Sequence, residues 1–142
     1  MARAVVDANV FIGARLSRDQ NHERAAAILE AFDRGALPTA YVLSDVLEES
    51  INYLQARSTH DVAVQTLDAL IESSGFKIVH TPKRDVDSGR SLFRKYESLS
   101  LTDAVIAASM RRQELEYLYS LDDGFDAVDG ITRLTTPANP FE

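Results

Sequence analysis

Short β-branched runs alternate with stretches of helical periodicity along this chain, and that alternation leaves few folds open to it. Residues 3–7, 41–43, 76–81, 116–121 and 131–134 read as strands. The first, "RAVVD", carries a continuous apolar run too brief for a helix, as suits a strand covered on both faces. Between the strands, apolar positions recur at helical spacing. Asn21 is placed to cap a helix whose Ala25, Ile28, Leu29 and Phe32 share one face, with Gly35 as its stop. Ser44 is placed to cap a second, carrying Leu47, Ser50, Ile51 and Leu54 at i, i+3, i+4 and i+7. Ser58 and Asp61 have capping-box spacing ahead of Ala63, Leu67, Leu70 and Ile71, and Gly75 is the expected end of that helix. Further helices are expected over 85–96 and from 101 to about 113. Strands and helices in alternation imply an α/β domain in three layers, helices covering both faces of a central, mostly parallel sheet of about five strands. With 142 residues and no linker or repeat, the expectation is a single domain over 1–142.

In such sheets ligands bind outside the carboxyl ends of the strands. Several acids fall there. Asp7 ends the first strand and Asp122 follows "EYLYSL". Asp103 opens a helix that is apolar nearly all round, so its carboxylate is expected to point along the sheet's end. Glu48 and Glu49 lie on the helix after "YVL", with Glu49 one step from the apolar stripe. Each acid has an ordinary reading as well. Asp7 could close an Asx-turn, Asp103 a capping box with Ser100, and Asp122-Asp123-Gly124 a simple turn, while either glutamate could be a solvated helical residue.

Taken together, the ordinary readings weaken on electrostatic grounds. Two carboxylates about 5 Å apart repel by roughly 3 kcal/mol at an effective dielectric near 20. Four converging acids must protonate, spread apart or bind a cation. Oxygen donors without cysteine select a hard divalent ion, Mg²⁺ or Mn²⁺. One or two such ions activate water and stabilise the oxyanions of a phosphodiester displacement. The net charge of −7 fits this chemistry, because it argues against binding nucleic acid through a broad basic surface. His22, His60 and His80 are scattered without ligand spacing. The absence of cysteine suits a cytoplasmic location, and neither a membrane span nor a signal peptide is expected.

At these residues the chain resembles the PIN-domain family, and most of all the short single-domain ribonuclease toxins called VapC. "VVDANVFI" is similar to the family's opening motif, which implies Asp7 as a first metal-site acid and Asn9 as its support. "LSDVLEESINYL" resembles the second motif, whose spacing favours Glu49 over Glu48. "LSLTDAVIAA" resembles the third, with Asp103 as the acid and Thr102 beside it as support. "YSLDDGFDAVDGITRL" resembles the fourth, with Asp122 three residues before Phe125, Ser120 as a support, and Asp123 able to share or replace the role of Asp122. Many relatives keep an acid directly before that phenylalanine, where this chain has Gly124. The resemblance implies a Mg²⁺- or Mn²⁺-dependent endoribonuclease, homodimeric, with RNA as substrate and a protein antitoxin as partner. Arg90 and Arg94, on the helix before Asp103, are candidate RNA-backbone contacts. The alternatives are a PIN nuclease of RNA processing without an antitoxin, and a non-catalytic PIN scaffold. A phospho-acceptor receiver domain also gathers acids around Mg²⁺, but needs a lysine at a late strand end that "YLYSLDD" does not offer.

Overall fold

The opening apolar run forms strand β1 (Arg3–Val6), with Ala4, Val5 and Val6 almost wholly removed from solvent. The computed structural model describes residues 2–142. Over these, β2 (Thr39–Leu43), β3 (Phe76–Val79), β4 (Tyr117–Tyr119) and β5 (Thr132–Leu134) join β1 in one sheet of order β3-β2-β1-β4-β5. Every neighbouring pair is parallel, so the sheet expected to be mostly parallel is wholly so among the described residues.

Six helices connect the strands: α1 (Ala8–Arg15), α2 (His22–Asp33), α3 (Ser44–Arg57), α4 (His60–Glu72), α5 (Lys83–Lys95) and α6 (Leu101–Arg112). The chain steps outward from β1 to β2 to β3, then returns across the sheet to β4 and β5. Because parallel crossovers are right-handed, the outward steps put α1–α4 on one face and the return puts α5 and α6 on the other. The packing agrees: α1 meets α2 and α3, α3 meets α4, and α5 pairs with α6. Under the first face Phe32 stacks on Phe76 and, edge-on, on Tyr119, with ring centroids 5.9 and 5.0 Å apart. Under the other, Ala104, Ile106, Ala107 and Met110 of α6 are fully buried, as its all-round apolar sequence requires. No helix among the described residues is long and apolar enough to cross a membrane.

Several local expectations shift. The segment after Asp7, which lacks the helical signals of the others, forms α1 because Asp7 caps it, accepting the Ala8 amide at 2.8 Å. Asn21 stands at the start of α2, but its side chain makes no capping bond; Asp19 instead accepts the Asn21 amide. Ser44 is the first residue of α3 rather than its cap, and its hydroxyl accepts the Thr81 amide from the end of β3. The cap of α4 is Thr59, not Ser58, with Oγ1 accepting from Val62 at 3.1 Å. That helix ends at Glu72, before Gly75. Gly35 follows α2 with φ +82°, a conformation that costs glycine least.

Candidate active site

The sheet order has one place where the chain reverses direction, between central β1 and its neighbour β4. Loops leaving two such strands part to opposite faces, and a crevice opens at their carboxyl ends. Asp7 leaves β1 at this point, and Ser120 and Asp122 leave β4. The first turn of α6 brings in Asp103, and α3 brings in Glu49.

Asp7 is 5% exposed, and both of its oxygens are in use. Oδ1 caps α1, while Oδ2 accepts the Ser120 hydroxyl at 2.8 Å and Asn9 Nδ2 at 3.3 Å. Asn9 Oδ1 in turn accepts the Leu121 amide at 3.1 Å, and Ser120 Oγ accepts the Asp122 amide at 3.1 Å. Asn9 and Ser120 thus stitch the end of β1 to the end of β4. Burial pushes the Asp7 carboxyl up to about 6, against the lowering effect of its bonds to Ser120 and Ala8; the charges of Glu49 and Asp122 raise it further.

Asp103 is 8% exposed, and its amide donates to the capping hydroxyl of Ser100 at 3.2 Å. Burial, then the charge of Asp7, then that of Asp122 push its carboxyl to about 7, while Ser100 opposes the shift. Glu49, open to solvent on one side, is pushed up by partial burial and by the charge of Asp103. The glutamate charge that Asp7 feels is that of Glu49. Asp122 keeps its turn role, capping the 3-10 turn Asp123–Ala127 by accepting the Gly124 amide at 2.9 Å. Asp123 is exposed on that turn.

Asp7 therefore feels Glu49 and Asp122, Asp103 feels Asp7 and Asp122, and Glu49 feels Asp103, while among the described residues no cation contributes to the shifts of Asp7, Glu49 or Asp103. As they stand, no three His, Asp or Glu side chains among the described residues close into a ligand cage. The donor set is nevertheless all oxygen, and buried carboxylates raised by mutual repulsion are what a hard divalent ion would relieve. The residues fit such an ion.

Of the expected supports, Asn9 and Ser120 contact Asp7, whereas Thr102 is half-buried without a side-chain bond to the acids among the described residues. Arg90 and Arg94 are exposed on α5, and among the described residues neither forms an ion pair with the acids. Gly124 has a steric reason: a Cβ there would collide with the Ser98 carbonyl oxygen. Ser98 Oγ also donates to the Gly124 carbonyl at 2.7 Å, so the loop before α6 closes onto the turn that carries Asp122. Sequence reasoning alone does not point to Arg133. It grips Asp126 and the Ser120 carbonyl beneath the acids. Its one local signal is a lone arginine in the short strand after an Asp-Asp-Gly turn.

The model of the PIN domain family matches residues 4–131. The chain belongs to the PIN-domain family. Ribonuclease VapC13 of Mycobacterium tuberculosis is 30% identical to this PIN domain over 91 residues, 64% of the chain and 69% of the relative. A VapC ribonuclease of Mycobacterium bovis matches over the same shares with the same identity. In fold the domain is similar to VapC20 of M. tuberculosis, a sarcin-ricin loop cleaving toxin. That comparison has a TM-score of 0.76 at 21% identity, covering 90% of this chain and 96% of the other. It is also similar to VapBC2 of Rickettsia felis, whose structure holds a promoter DNA fragment, with TM-score 0.69, 15% identity and 97% and 98% coverage.

Proposed function

We propose that this PIN domain is a divalent-metal-dependent endoribonuclease and the toxin of a VapBC-type pair. The observation that carries the reading is the mutual repulsion of Asp7, Glu49 and Asp103, with Asp122 acting on Asp7 and Asp103, while no cation among the described residues contributes to the shifts of the first three. The names of its relatives, VapC ribonucleases, support the substrate class. The domain, residues 1–142, would act as a single unit, in the cytoplasm, as a homodimer, against RNA and under a protein antitoxin.

Asp7, Glu49, Asp103 and Asp122 would hold Mg²⁺ or Mn²⁺, with Asp123 a neighbouring acid on the exposed side. When bound, such an ion supplies positive charge for a scissile phosphate and lowers the pKa of water. The chain's own residues do the rest. Asn9 and Ser120 fix Asp7 in one orientation by sharing its Oδ2, and through Leu121 and Asp122 they fix the strand end opposite. Ser100 holds the first turn of α6, and with it Asp103. Orienting the acids in advance removes a reorganisation cost from the reaction.

The test pairs two neighbouring residues that helix geometry points about 100° apart. Glu49→Gln should reduce Mn²⁺-dependent cleavage of single-stranded RNA by at least about 100-fold, beyond the range of outer supports. Glu48→Gln should leave it near wild type. Equal rates for the two variants would remove α3 from the site, and a wild type inert towards RNA at every metal concentration would end the nuclease reading.

A further inference from the structure

The segment that carries Asp122 is held at both ends by one side chain. Arg133, on β5 and 17% exposed, donates from Nη1 to the Ser120 carbonyl at 3.2 Å. Its Nε and Nη2 grip the two oxygens of Asp126 at 2.9 and 3.0 Å. Ser120 precedes the 3-10 turn and Asp126 lies within it, so the guanidinium spans the stretch containing Asp122, Asp123 and Phe125. Ser120 is also the residue whose hydroxyl donates to Asp7 and accepts from the Asp122 amide. Arg133 feels the charges of Asp123 and Asp122, yet its hydrogen bonds go to Asp126 and Ser120 and not to either of them.

We propose that Arg133 and Asp126 form a clamp that positions the fourth acid of the cation site. Arg133 pins the turn to the end of β4, so that Asp122 keeps its place beside Asp7 and Asp103. Asp126 keeps the guanidinium occupied, so that it does not pair with Asp122 in place of the cation. This rests on the metal-site reading above.

Three physical points carry the assignment. The clamp needs a planar fork with donors on two sides, which arginine has and lysine lacks. Asp126 is more than half exposed, and a solvent-facing ion pair adds little to global stability, so its effect is local. Groups that orient metal ligands from behind change affinity by about 10- to 100-fold when removed.

The experiment uses the purified protein with two readouts. The first, without metal, is hydrogen exchange at the Asp122 and Gly124 amides, which bond Ser120 Oγ and Asp122 Oδ1. Arg133→Gln and Asp126→Asn should both speed exchange there and leave the β1 and β2 amides as in wild type. The second is Mn²⁺ titration followed by the rise in melting temperature. Arg133→Gln, Arg133→Lys and Asp126→Asn should each need about tenfold more Mn²⁺ than wild type. Wild-type protection of both amides in Arg133→Gln would overturn the clamp. Wild-type Mn²⁺ affinity in Arg133→Lys would overturn it too, by showing that charge alone suffices. If the wild-type protein does not respond to Mn²⁺, the metal reading falls by itself. Amide exchange then still decides whether Arg133 holds the turn.

Discussion

Asp7 and Asp103 each serve a structural purpose and a chemical one, and the two conflict. Asp7 caps α1 and Asp103 bonds the Ser100 cap of α6, which favours their ionised forms; buried and facing other acids, they are raised to about 6 and about 7. A carboxyl raised on folding makes the folded state take up protons more readily than the unfolded chain. Its contribution to stability is full below the unfolded value of 3.8 and is lost as pH rises through about 6 for Asp7 and about 7 for Asp103. Metal-free protein should therefore lose stability between about pH 4 and pH 8 through these two groups. Denaturation in the presence of a chelator, for wild type and Asp103→Asn, isolates the effect. The variant should show a shallower decline and exceed wild type at pH 8, where repulsion is greatest. A variant less stable than wild type at pH 8 would mean that the Asp103 carboxylate acts mainly through its bond to the Ser100 cap.

At the scale of elements, the turn that carries Asp122 is set by what lies on either side of it. Phe125 is fully buried beneath the turn, Arg133 grips it from β5, and the loop before α6 presses Ser98 against Gly124. That loop also leads into Ser100 and Asp103, so one contact joins the third acid to the fourth. Gly124→Ala places a methyl group against a backbone carbonyl that has no rotamer by which to withdraw. The expected cost is about 1–3 kcal/mol in chemical denaturation, with a loss of Mn²⁺-induced stabilisation. Wild-type stability would show that the loop yields freely to a methyl group.

Over the whole molecule the charge is −7, and the acids of the crevice add to a field that repels RNA. On the proposed nuclease reading, RNA binding would rest on the cations of the site and a few arginines, of which Arg90 and Arg94 stand exposed on α5. For single strands the logarithm of affinity falls with the logarithm of salt at about −0.7 per phosphate neutralised. A non-cleaving Asp103→Asn protein should give a shallow slope, and charge reversal at Arg90 and Arg94 should reduce it by about one contact each. A steep slope indifferent to both reversals would place the RNA track on another surface.

Strand content was legible because a strand buried on both faces must be apolar throughout, and "AVV" at 4–6 has no other economical use. The apolar circumference of α6 likewise announced a buried helix, and with it the unusual setting of Asp103. Helix ends were less legible. Ser44 and Ser58 have the chemistry of caps, but Ser44 is drawn to Thr81, and Thr59 stands one residue closer to the helix that Ser58 was expected to start. A capping motif is a local offer that a tertiary partner can outbid. The order of the strands lay beyond local reading, because pairing of β1 with β4 joins residues more than a hundred positions apart: Ser120 meets Asp7 across 113. That pairing makes the crevice, and Glu49 on α3 lies within the field of Asp7 and Asp103. It also puts Arg133 under Ser120. Periodicity tells a residue which face of its own element is buried; only the packed sheet decides which distant residue shares that burial.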